Sequence, residues 1–226
     1  MRINRFVAGA TGLSRRKVDV LITAKRVTVN GQPALLGQEV SAADRIYLDR
    51  QQLHMAGPAT TIILNKPPGY VVSRAAQGNK TIYALLPKKY ALLKAVGRLD
   101  KASSGVLVLT DDGQLAHQLT HPRNQKQKIY EVKLRQPLSR RDELAIGRGI
   151  KLEDGVSRLQ LMPLGKNRDS WQVRLHEGRN RQIRRTFQAL NYQVIKLHRT
   201  HFGQYSLDNL ASGQFREAPP LQQQHN

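Results

Sequence analysis

The feature that most constrains this chain is the stretch from Val96 to Gly113, VGRLDKASSGVLVLTDDG. Its centre, VLVLT, is a short unbroken apolar run closed by an Asp111-Asp112-Gly113 turn, which reads as a buried strand. The residues just before such a strand are fixed in place by the core. Asp100 is one of them, and it lies between Arg98 and Lys101. The chain carries 37 Lys plus Arg against 16 Asp plus Glu, a formal net charge of +21. Carboxylates are scarce, and nearby cations favour their charged form. A carboxylate held there can act as nucleophile or general base. The same pattern fits a loop aspartate bonded to its own backbone.

A charge of that size attracts polyanions over long range, nucleic acid first and anionic membrane second. The 226 residues suffice for one large domain, or one domain with a small accessory. There is no cysteine, which excludes disulfides, thiolate nucleophiles and Cys-based zinc sites. The opening MRINRFVAGATG holds no apolar run of signal-peptide length, and no window approaches a membrane span. The expectation is a cytoplasmic protein with no membrane partner. His117 and His121 lack the acidic partner of a zincin helix, so no metal site is expected. GxxxxGK[ST] and GxGxxG are missing, so no nucleotide cofactor is expected either. Ser103, Ser104 and the seven histidines form no hydrolase motif. Asp111 and Asp112 read as turn residues, not as the carboxylate pair of a glycosidase.

Along the chain, Arg2 to Gly9 has helical spacing, with Gly9 or Gly12 as its end. Ser14 is a good N-cap for a second helix carrying Val18, Leu21 and Ile22. RVTVNGQPALLG reads as a strand, an Asn30-Gly31 turn and an extended piece, and DRIYLD as a further strand. This small α+β unit spans residues 1–53. Residues 54–60 read as a linker, 61–218 as a second domain, and 219–226 as a disordered tail. The second domain opens with TIILNKPPGYVVS, a strand, a turn and a strand restart. It continues through VLVLT, a helix from Gln114 to Thr120, the alternating strand KIYEVKL and a helix over Leu138–Ile146. RLQLMPL and SWQVRLH read as strands, RNRQIRRTFQAL as a helix, and YQVIKLHRTHFG as a strand. Many strands, few helices and no βαβ alternation indicate an α+β domain with a mainly antiparallel or mixed sheet.

Three clusters invite chemistry besides Asp100. Arg15, Arg16 and Lys17 occupy the first turn of the second helix, where cations oppose the helix dipole and a phosphate would relieve them. The alternative is a solvated basic surface. Arg181, Arg184 and Arg185 are spread around the helix of HEGRNRQIRRTF. One can pair with Asp100 in a cleft while the others face phosphates, or all can form a solvated face. Tyr130 follows Lys126 and Lys128 at a strand start, placed to stack on a base or to fill the core.

NKPPGYVVS, GRLDKASSGVLVLTDDG, IYEVKL and EGRNRQIRR occur in one order, and that set resembles the RsuA/RluB/RluE/RluF family of ribosomal RNA pseudouridine synthases. SRRKVDVLI and RVTVNG in residues 1–53 resemble the S-four-type RNA-binding domain. The resemblance runs to about Ala218. It implies a mixed, mostly antiparallel central sheet with flanking helices and a cleft across it. It implies Asp100 as the catalytic carboxylate, Arg184 as its basic partner and Tyr130 as the ring that stacks on the target base. Arg98 then helps hold the place of a flipped-out uridine, and Lys66 and Pro67 belong to a structural motif. Arg15, Arg16, Lys17, Lys128, Arg179, Arg181 and Arg185 become RNA contacts. Ser104, Val106 and Thr186 depart from the more usual Thr, Leu and Met. The implied enzyme needs no cofactor and acts as a monomer on ribosomal RNA or an immature subunit, with large-subunit RNA favoured. A non-catalytic ribosome-assembly factor would explain the charge and the first unit, but not the second domain's motifs.

Overall fold

The computed structural model describes residues 1–54, 57 and 59–218. The proposed tail, 219–226, lies outside them, as do positions 55, 56 and 58 of the proposed linker. The chain divides into two compact units, Met1–Ala59 and a second beginning at Thr60.

In the first unit, α1 (Ile3–Thr11) buries Ile3, Phe6 and Val7 and ends on Gly12, whose φ of +73° is left-handed. The Ser14 side chain accepts a bond from the Lys17 N–H at 3.2 Å and so starts α2 (Arg15–Thr23). The strands β1 (Val27–Val29), β2 (Gln32–Pro33), β3 (Ile46–Leu48) and β4 (Gln51–Leu53) form an antiparallel sheet in the order β2-β1-β3-β4. Asn30 and Gly31, at φ +51° and +85°, make the predicted hairpin turn.

The second unit is built on a nine-stranded sheet. Its strands are β5 (Thr61–Lys66), β6 (Lys94–Val96), β7 (Ser104–Thr110), β8 (Lys128–Leu134), β11 (Gln160–Pro163), β12 (Ser170–Leu175), β13 (Val194–Phe202), β14 (Tyr205–Ser206) and β15 (Phe215–Glu217). The order is β11-β12-β8-β13-β7-β5-β15, with β14 on β13 and β6 on β7. All pairs are antiparallel except β13 with β7. The strands β9 (Ile150–Leu152) and β10 (Gly155–Ser157) form a separate hairpin. The helices are α3 (Gly113–Thr120), α4 (Arg140–Arg148) and α5 (Gln182–Gln188). This is the mixed, mostly antiparallel α+β domain expected.

VLVLT has no polar alternation because both faces of β7 are covered: Leu107 and Leu109 join one apolar cluster, Val106 and Val108 the other. The first cluster, with Tyr130, Val132, Trp171 and Phe187, lies on the face that carries the cleft. The other packs with α3 residues Leu115 and Leu119. One expectation is corrected. No strand resumes after Pro67-Pro68-Gly69; Val71 makes only an isolated bridge to Thr81. The chain there runs irregularly, tied down by Arg74 donating to the carbonyls of Ala91 and Leu93.

Gly105 explains the glycine of SSGVLVL. It pairs with Arg199 across the parallel β7–β13 contact, at φ +110°. A Cβ there would fall 2.1 Å from the Arg199 carbonyl oxygen. No side chain fits without moving a strand. Gly105→Ala is therefore expected to cost more than about 4 kcal/mol, while Gly113→Ala, with no atom within 4 Å of its Cβ, should stay within about 1 kcal/mol. Denaturant midpoints of the two variants check this; equal midpoints would refute it.

Candidate active site

The site is organised around the end of β5. Lys66 is fully buried, and its ammonium donates to the carbonyls of Ser103 (2.7 Å), Pro67 (3.0 Å), Asp100 (3.2 Å) and Lys101 (3.4 Å). Burial pushes Lys66 down to about 8, and the charge of Asp100 counters that shift. Three of those carbonyls, of Asp100, Lys101 and Ser103, belong to the loop between β6 and β7, so one cation fixes the backbone that carries Asp100. Further bonds close the loop: Ser103 N–H to Asp100 O at 3.0 Å, and Gly69 N–H to Lys101 O at 2.7 Å.

Asp100 opens into a cleft of about 1430 Å³ in the second unit. Nine lysines and arginines line it against three carboxylates, Asp100, Glu143 and Glu177, so it suits a polyanion. Tyr130 lines it too, only 8% exposed and part of the core cluster, so its ring fills the core and also stands in the cleft wall. Arg98 is exposed at the cleft and makes no ion pair among the described residues.

The expected partner of Asp100 is corrected. Arg181 lies closest, Nη1 to Oδ2 at 3.6 Å, both groups partly solvated. Arg184, one turn into α5, instead donates to the Val194 carbonyl at 2.9 Å and reaches Ser103 Oγ at 3.5 Å. Burial and then Arg181 hold Arg184 below its ordinary range, while Asp100 pulls it back up, so Asp100 acts on it through space. The physical reason is where the helix starts. Arg181 is the N-cap of α5 in a left-handed conformation, φ +47°, which turns it off the helix surface.

Arg179 and Arg185, expected as RNA contacts, are both engaged within the protein. Both are committed to Asp154 on the β9–β10 hairpin, at 3.0 and 2.6 Å, and Arg179 further to Glu177. They clamp the hairpin to α5 instead of standing free for RNA. Thr186, unusual beside the resembled family, bonds the buried Ser157 Oγ at 2.8 Å, part of the same clamp with Gln182. Ser104 Oγ meets His198 Nδ1 at 2.8 Å. In the first unit Arg15 binds Asn4 Oδ1 through two nitrogens, leaving Arg16 and Lys17 exposed without such partners among the described residues. Sequence reasoning missed Arg199, Arg148, Arg158 and Arg174 in the cleft. Arg199 had a signal: in β13 it shares the inward parity of Leu197. Among the described residues no cluster of three potential metal ligands occurs.

A family model described as RNA pseudouridylate synthase matches residues 60–189, and an S4 domain model matches residues 1–46. The chain is 36% identical to ribosomal large subunit pseudouridine synthase B of Xylella fastidiosa, over 98% of this chain and 49% of that protein. It thus spans about half the length of that relative. It is 35% identical to ribosomal small subunit pseudouridine synthase A of Pasteurella multocida, covering 96% of this chain and 95% of that one. A solved structure described as a pseudouridylate synthase superposes with a TM-score of 0.68 at 30% identity, covering 97% and 96% of the two chains.

Asp100 is the one carboxylate acting on Lys66 and Arg184, both substantially buried. Removing it leaves these cations uncompensated. Asp100→Asn is expected to lower Tm, by roughly 2–6 °C, rather than raise it as loss of a functional carboxylate often does. Thermal denaturation checks this, and a raised Tm contradicts it.

Proposed function

The chain belongs to the RNA pseudouridylate synthase family, and on that premise we propose that it isomerises a uridine of ribosomal RNA to pseudouridine with Asp100 as the catalytic carboxylate. The observation that carries this reading is the placement of Asp100: held by the Lys66-bound loop, facing Arg181, and opening into a cationic cleft.

The reaction breaks the bond from C1′ to N1, rotates the uracil, and joins C1′ to C5. The C5 proton leaves and N1 takes one up, so no electron acceptor is required. Asp100 either attacks the nucleoside or removes a proton from it. Arg181 offers charge beside it. The Tyr130 ring gives the uracil a face to turn against. The target must leave its stack to reach Asp100, and Arg98, exposed at the cleft, can take its place in the RNA. Arg16 and Lys17 in the first unit supply backbone contacts that need no sequence readout.

The relatives divide between large- and small-subunit enzymes at 36% and 35% identity, so the substrate is stated as ribosomal RNA. The enzyme acts as a monomer in the cytoplasm, where such RNA is assembled into subunits.

The test is tritium release from ribosomal RNA labelled at C5 of uridine, on free RNA and on immature subunits, with wild type and Asp100→Asn side by side. Release by the wild type alone is expected. Release by both variants would remove Asp100 from its role. Release by neither, with RNA binding retained, would favour the assembly factor.

A further inference from the structure

Arg199 is buried to 2% exposure in the wall of the cleft, yet it is poorly satisfied. Its Nε donates to the Val106 carbonyl at 2.9 Å, while its buried Nη2 has no partner. Burying a guanidinium nitrogen without an acceptor is costly, so such an atom marks a place where an acceptor arrives. Lys128 lies close by. Its ammonium has only long contacts, 3.4 Å to the Lys126 carbonyl and 3.5 Å to that of His176. Burial and then the charge of Arg199 hold Lys128 below its ordinary range. Among the described residues neither cation has a carboxylate within ion-pair distance.

Both cations sit over one ring. Arg199 lies 4.7 Å and Lys128 5.4 Å from the centroid of Phe202. Strict alternation would place Arg199 and Phe202 on opposite faces of β13. A register shift between Arg199 and His201 brings them together, and such irregularities re-aim side chains beside functional sites. Gly178 keeps the side of the Lys128 ammonium open; a Cβ there would stand 3.6 Å from it. Glu177 acts on Lys128 only from beyond ion-pair distance, so two like charges are held together without a bound anion, and one binding between them would relieve both the repulsion and the orphaned nitrogen. Arg199 is the direct cross-strand neighbour of Tyr130.

We propose that Arg199 and Lys128 form a phosphate subsite that grips the phosphodiester flanking the flipped uridine, beside the ring of Tyr130. The identity of that nucleotide rests on the pseudouridine synthase reading; the anion site rests on the two cations alone.

The test uses the full chain and the ribosomal RNA fragment it binds most tightly, chosen by binding and not by turnover. Each phosphate is replaced in turn by a neutral methylphosphonate. One position is expected to weaken wild-type binding roughly ten-fold and to add nothing further in Lys128→Met. That variant should itself flatten the salt dependence by about one ion, while Lys166→Met, in an exposed turn, should not. Mapping tritium release on the same fragment should place that phosphate next to the isomerised uridine. No coupled position, or one remote from that uridine, overturns the subsite. Coupling on an RNA that is never isomerised keeps an anion site but overturns the reading of its nucleotide. The methylphosphonate series on wild type stands even if a variant fails to fold.

Discussion

One buried ammonium carries the architecture of the site. Lys66 ends β5 and is shut off from solvent, so its charge is tolerable only because four carbonyls surround it. Three of those carbonyls come from the loop that holds Asp100. The stability of a buried charge and the position of Asp100 are thus one structural fact. A loop with free backbone groups would wander; this one is pinned by a group that cannot leave it without becoming an unsatisfied cation.

The sheet supplies the rest. The parallel contact of β13 with β7 requires Gly105, because the two backbones approach too closely for a side chain. That contact sets β13 beside both β7 and β8 and so gathers Asp100, Tyr130 and Arg199 into one cleft. Two arginines that look like ligands for RNA do structural work, holding the β9–β10 hairpin through Asp154. The excess positive charge is divided accordingly: some cations are consumed internally, and the remainder leave the cleft electropositive.

Much of this was legible in the sequence because local pattern and tertiary role agree. VLVLT reads as buried and is buried on both faces; KIYEVKL alternates in sequence and in exposure; Ser14 and Asn30-Gly31 act where their chemistry puts them. Other features depend on partners far along the chain. The short strands β6 and β15 exist because β7 and β5 offer edges, not because KAV or FRE favours a strand. The residue pattern leaves the partner of Asp100 open among the arginines near α5 and the resemblance points to Arg184; the ion pair falls to Arg181, whose left-handed backbone no spacing rule announces. Lys66 was legible only as part of a motif. Three of its four partners are main-chain oxygens more than thirty residues away, which no side-chain pattern announces.

The most direct test of this account is amide hydrogen exchange in wild type and Lys66→Met. If Lys66 holds the Asp100 loop, the N–H groups of Ser103 and Gly69 should exchange at least roughly ten-fold faster in the variant, while Val132 and Leu197 in β8 and β13 keep their protection. Unchanged exchange at Ser103 and Gly69 would contradict the account, because the loop would then be held without the ammonium. Loss of protection throughout the sheet would contradict it as well, by making Lys66 a support of the whole domain and not of this loop.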